Sequence, residues 1–204
     1  MLKPGLERMR RLRFQGEKRI QDAVMIPATL PALLAVVAAS EGLPWVLGGT
    51  LAASCYMESR ATVVIEILVP DGEARETILG RVGQMPQGHE VRARTPEEVG
   101  LAPDTVIQWH AHARRDVVEG VTVCVPLPRD LFILLLAEPD VIAAPQAMYW
   151  ACRMHLLHGP WDFDDVELSP YQRDRLGEAA AKIIYHVAGQ LEALEEELER
   201  ALEA

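Results

Sequence analysis

Gly48-Gly49 closes a strand-like apolar run, Trp45-Val46-Leu47, and leads into a small-residue, helix-competent segment beginning at Thr50. Glycines at such a turn let the backbone approach phosphate oxygens, and the start of a following helix favours their negative charge. Arg60-Ala61-Thr62 comes next, then an apolar strand from Thr62 to Val69 with one acid, Glu66. Alternation puts Val63, Ile65, Ile67 and Val69 on one face of that strand and Thr62, Val64, Glu66 and Leu68 on the other. A lone carboxylate there must pair, wall a pocket or face water, because an unpaired buried one is costly. A second strand is read from Val106 to His112, with Ile107, Trp109 and Ala111 on its apolar face and Gln108, His110 and His112 on its polar face. If the two strands are neighbours, Glu66, Gln108 and His110 converge on one patch.

Each feature also has a plain structural reading. A Gly-Gly pair alone is a tight turn. Glu66 pairs equally well with Arg60. His110-x-His112 puts two imidazoles on one strand face, but no third zinc ligand accompanies them, so no metal site is assigned. His155-x-x-His158 falls at a helix end, where a cationic histidine or a cap is the ordinary explanation. Cys55 reads as a small buried hydrophobe, and Trp45, Trp109, Trp150 and Trp161 read as core.

Three segments must position these residues. Residues 1–41 read as helices broken near Pro27 and Pro31, with Thr29 as an N-cap and Gly42 as a stop. Residues 42–138 hold the strands: Thr62 to Val69, ended by Pro70-Asp71-Gly72, then Val106 to His112 and Val121 to Val125. Helices are expected at Glu73 to Gly83 and Pro128 to Glu138, and Met85 to Pro103 reads as a loop or short irregular strand. Residues 139–204 are helical: one helix from Ala143 to Leu157, a linker with aromatic anchors, and a long helix from Ser169-Pro170. Leu176, Ala180, Ile183, Val187, Leu191, Leu194, Leu198 and Ala201 recur at three- and four-residue steps, the stripe of a coiled-coil seam or of a helix docked on the domain.

The order Gly-Gly, short helix, Arg-x-Thr, acid-bearing strand resembles the first half of a nucleotidyltransferase of the DNA polymerase beta superfamily, of the minimal or toxin-antitoxin type. Val121-Thr-Val-Cys-Val-Pro-Leu-Pro-Arg-Asp-Leu131 resembles that family's later strand leading into a helix. The resemblance covers roughly residues 43 to 138. It implies an α+β fold with a nucleotidyltransferase-like mixed sheet flanked by helices and a long C-terminal helix. It also implies nucleotide binding by Gly48, Gly49, Thr50, Arg60 and Thr62. The family pattern R-x-T-x-D-x-D has its first acid where this chain has Val64 and its second where it has Glu66. The third acid position falls near Gln108 or His110. Glu66, Gln108 and His110 are therefore vestigial candidates, and together they make a poor site for Mg²⁺, which favours hard, negatively charged oxygen ligands. The expected function is that of a degenerate, non-catalytic nucleotidyltransferase-fold protein, a nucleotide- or protein-binding regulatory module. Mg²⁺ is expected only if residual nucleotidyl transfer survives. A competing resemblance starts from Trp161-Asp-Phe-Asp-Asp165 and the long helix behind it, which is similar to the last elements of GAF-type sensor domains. That family implies a central antiparallel sheet between the first and last helices and a small-molecule ligand.

Composition narrows the partners. The chain has 204 residues, 50% of them hydrophobic, a net charge of −10 and a pI near 5.1. It therefore gains no general attraction to nucleic acid or anionic membrane. The exception is the basic head, where Lys3, Arg8, Arg10, Arg11, Arg13, Lys18 and Arg19 outnumber Glu7 and Glu17. The tail after Gln190 is correspondingly Glu-rich. Cys55, Cys124 and Cys152 lie far apart with no C-x-x-C, as expected in a reducing compartment, and no signal peptide is read, so a cytoplasmic location is expected. The most apolar run, Leu131 to Ala137, is too short for a bilayer. A homodimer or a partner protein bound through the C-terminal helix is the expected assembly.

Overall fold

β2 (Val64–Leu68) is the strand that the alternation predicts, and it is the middle strand of the sheet. The structure is a computed structural model that describes residues 18–57, 59–83, 85–86, 88–138, 144–159, 161, 163 and 168–202, with side chains described except at 144–146, 187–188 and 190–202. Ile65, Ile67 and Val69 are fully buried on one face of β2, whereas Val63, expected with them, is 41% exposed just before the strand begins. β1 (Val46–Leu47) pairs with β2 antiparallel, and β3 (Glu90–Arg94) pairs with it in parallel, giving a mixed sheet of order β1-β2-β3. The parallel pair departs from the antiparallel sheet that the sensor-domain resemblance implies.

The protein is α+β, with eight helices among the described residues. α1 (Ile20–Ala23) and α2 (Thr29–Ala39) precede β1; α3 (Gly49–Ser54) links β1 to β2. Thr29 is the first helical residue rather than the cap, and its hydroxyl donates to the Thr62 carbonyl at 2.8 Å. α4 (Gly72–Val82) follows β2, with the Asp71 carboxylate capping the Ala74 N–H at 2.8 Å; an aspartate N-cap is a common device for satisfying such free donors. β3 is the short strand within the stretch read as a loop or short irregular strand.

The largest departure is at Val106 to His112. The expected strand is a helix, α5 (Thr105–His112). The burial explains why: Val106, Trp109 and Ala113 are buried, at helical spacing, while Ile107 is 55% exposed. An eight-residue segment satisfies either period, and packing of Trp109 into the core selects 3.6 over 2. The chain then forms a hairpin of β4 (Arg114–Val118) and β5 (Val121–Val125), turned by Glu119 and Gly120, both at positive φ, 50° and 84°. Such two-residue turns match the twist of the flanking strands.

α6 (Pro128–Leu136) starts with Pro128 and buries every residue from Asp130 to Leu136. Its inner face meets α7 (Ala144–His158) and the aromatic anchors: Phe132 stacks on Phe163 at 5.4 Å and lies 5.3 Å from Trp161. α8 (Pro170–Leu202) is the long C-terminal helix. It docks through Gln172, Leu176 and Ala179; Ala180, expected in the stripe, is exposed instead. The side chains of the stripe from Val187 onward lie outside the described residues, as does the basic segment 1–17. One continuous core includes residues from all three expected segments, from Ile20 to Ala179, and contains Trp45, Trp109 and Cys55. Burial pushes the Cys55 thiol up to about 12, which leaves it inert.

Candidate functional site

Gly48-Gly49 forms the turn between β1 and α3, and Glu66 lies directly beside it. The Gly48 N–H donates to the Glu66 carbonyl at 2.8 Å. Gly49 has φ +57°, and a Cβ there would stand 2.6 Å from Glu66 Oε2. The turn and the acid-bearing face of β2 therefore border one another, as the sequence predicts. The carboxylate itself covers the glycine backbone.

The partners of Glu66 are not the expected ones. Arg60 is exposed, and its backbone N–H donates to Ser54 Oγ at 3.1 Å. Thr62 turns back on its own strand, its hydroxyl accepting from the Val64 N–H at 3.1 Å. Thr50 accepts from the Ser54 hydroxyl through its carbonyl. Gln108, on α5, donates to Asp104 Oδ2 at 2.5 Å and is exposed. His110 contacts the Trp45 backbone through Nδ1, 2.8 Å from its carbonyl and 3.1 Å from its N–H. Neither Gln108 nor His110 comes from a strand beside β2; that position belongs to β3.

Register places Arg92 opposite Glu66 and Arg94 opposite Leu68. Cross-strand partners share a face, so both arginines flank the acid. Arg94 Nε lies 3.8 Å from Glu66 Oε1, and Arg94 Nη1 donates to both oxygens of Glu138 at 3.1 Å. The three side chains are 15%, 13% and 12% exposed for Glu66, Arg94 and Glu138. Burial pushes the Glu66 carboxyl above its ordinary range; Arg94 opposes that, Glu138 reinforces it, and Arg92 opposes it more weakly. Net elevation beside a cation is consistent with the long 3.8 Å approach, which recovers less than desolvation removes. Sequence reasoning missed Arg92, Arg94 and Glu138. The usable signal was the polar–apolar alternation of Glu90-Val-Arg-Ala-Arg94, which reads as a half-buried strand.

His112, His155 and His158 have structural partners. His112 Nε2 meets Asp130 Oδ2 at 2.7 Å, so on a helix His110 and His112 diverge to different partners. His155 packs against Phe132 and Trp161, and burial lowers its pKa, which favours the neutral ring over the cationic one expected at a helix end. His158 Nε2 lies 3.1 Å from the Tyr56 carbonyl. Among the described residues no group of three or more His, Cys, Asp or Glu could hold a metal ion, and no helix is long and apolar enough to cross a membrane. No family model matches the chain, and comparison with curated proteins and with solved structures finds no match.

Proposed function

We propose that this chain is a degenerate nucleotidyltransferase-like protein that transfers no nucleotide and serves as a protein-binding regulatory module, of the kind used in toxin-antitoxin systems. The observation that carries the reading is the Arg94 guanidinium, seated between Glu66 and Glu138 on the strand face beside the Gly48-Gly49 turn. Metal-dependent transfer needs carboxylates left free to hold cations against the phosphates. Here a permanent organic cation is paired with the acids, Val64 replaces another, and Arg92 stands opposite Glu66. The Glu66 carboxylate against Gly49 also opposes an incoming phosphate, which favours a protein over a nucleotide as the ligand. Partner binding, or pairing of two copies, falls to α8, where Ile184 and Tyr185 are 69% and 84% exposed.

Two measurements test this. Purified protein with Mn²⁺ and α-labelled nucleoside triphosphates should label neither RNA, protein nor itself; robust labelling abolished by Glu66→Ala overturns the non-catalytic reading. In light scattering, a chain ending at Leu168 should lose oligomeric mass or become insoluble, because it uncovers the surface under Leu176 and Ala179 and the tie from the Tyr171 hydroxyl to the Glu138 carbonyl. A soluble truncation of unchanged oligomeric state would make α8 a passive extension.

A further inference from the structure

A second site lies at the other end of β1. A cavity of about 640 Å³ opens between the end of α2, the turn leading to Trp45, the end of α5 and the β4–β5 hairpin. That volume lies within the range of small-molecule sites. Its lining includes the apolar Val37, Leu43 and Val121 and the polar Ser40, Glu41, His110, Arg115 and Thr122. Arg115 is exposed but is held by three contacts. Its Nη2 donates to the His110 carbonyl at 2.5 Å, and its Nη1 reaches both His110 Nε2, at 3.4 Å, and Cys124 Sγ. A guanidinium has five N–H donors in a planar fork. These contacts take both hydrogens of Nη1 and one of Nη2. They leave Nε–H and the second Nη2–H, the parallel pair along one edge that matches the two oxygens of a carboxylate. Glu41 is the one acid among the lining residues, and Arg115 the one guanidinium. With the lining charges cancelling, only the Arg115 fork favours an anion, and a phosphate dianion is disfavoured. The Cys124 thiol is pushed up by burial despite Arg115, so it is a packing partner and not a nucleophile.

We propose that this cavity binds a small organic monocarboxylate, its carboxylate on the Nε/Nη2 edge of Arg115 and its apolar body against Val37, Leu43 and Val121. The cavity lies at the opposite end of β1 from the Gly48-Gly49 turn.

The test titrates phenylacetate, its neutral amide phenylacetamide and inorganic phosphate into the full-length isotope-labelled protein, followed by amide shifts in NMR. Phenylacetate should saturate and shift Gly42, Gly120 and Thr122, with the amide and phosphate weaker by about tenfold or more, as loss of a charge-assisted pair implies. Arg115→Gln should erase the preference of acid over amide. Thr122→Trp, which keeps Arg115 and adds bulk at an exposed lining position, should weaken both ligands. Four results each overturn the proposal: no saturable shift by phenylacetate at tens of millimolar (about 2–3 kcal/mol or less of binding), equal binding of acid and amide, phosphate binding as well as phenylacetate, or a preference that survives Arg115→Gln.

Discussion

Arg94→Met should destabilise the fold by about 3–5 kcal/mol, the usual cost of removing one partner from a buried ion pair. The variant leaves Glu66 and Glu138, which are 15% and 12% exposed, without the cation between them. Urea unfolding measures the loss, and Glu66→Gln/Arg94→Met/Glu138→Gln should recover most of it, since a neutral, similarly shaped group has no charge to desolvate. A loss under about 1 kcal/mol would equate the cluster with a solvent-screened surface pair. The pH dependence carries an independent sign. Burial holds the Glu66 carboxyl above the ordinary glutamate value in the fold. Between the ordinary glutamate value and that raised one the folded chain binds more protons than the unfolded one, so this group's contribution to stability falls as pH rises through the window and is constant above it. Arg94→Met removes the main influence lowering that pKa, so the fall should deepen and extend to higher pH. Glu66→Gln should flatten it.

That cluster marks the boundary of what the sequence discloses. The Glu66 strand was legible because Ile65, Ile67 and Val69 alternate with less buried neighbours, a pattern with one reading over that length. The turn after β1 was legible because two glycines between an apolar run and a small-residue segment admit few geometries. The neighbour of β2 was not. Two short segments alternate, and period alone did not separate them: Ile107 to His112 alternates in composition, yet Val106, Trp109 and Ala113 go inside together as one helical face. Glu90 to Arg94 carries three charged residues and sits at the edge of the sheet, so its strand character comes from pairing with β2 rather than from hydrophobic content. Once β3 replaces α5 as the neighbour, the polar residues facing Glu66 change from an amide and an imidazole to two guanidiniums. The chemistry of the patch inverts from a weak cation site to a neutralised one. Glu138 was visible as an acid after an apolar helix, but only the return of α6 toward the sheet brings it to Arg94.

Gly49→Ala should cost about 2–5 kcal/mol, combining the left-handed backbone penalty with overpacking. The residue has φ +57°, and its new Cβ would lie 2.6 Å from Glu66 Oε2 and 3.1 Å from both Cβ and Cδ of Glu66. The carboxylate oxygen can rotate away; Glu66 Cβ moves only with the strand. Gly48→Ala supplies the contrast. Its φ is −122° and its nearest contacts are at 3.4 Å, so it should cost under about 1 kcal/mol. A double-mutant cycle separates the two parts. On a Glu66→Ala background, which removes the oxygen and Cδ but keeps the Cβ at 3.1 Å, Gly49→Ala should cost less, retaining the backbone share of about 1–2 kcal/mol and the contact with that Cβ, and the difference between backgrounds is the energy of the carboxylate contact. Additive effects would mean that Glu66 does not press on the turn. Strong coupling would mean that it does, and then a phosphate can reach the Gly48-Gly49 backbone only after the carboxylate leaves. Glu66→Ala would open that path at the cost of uncovering Arg94, so the same variant that relieves Gly49→Ala should be the one in which nucleoside triphosphate first raises the unfolding temperature.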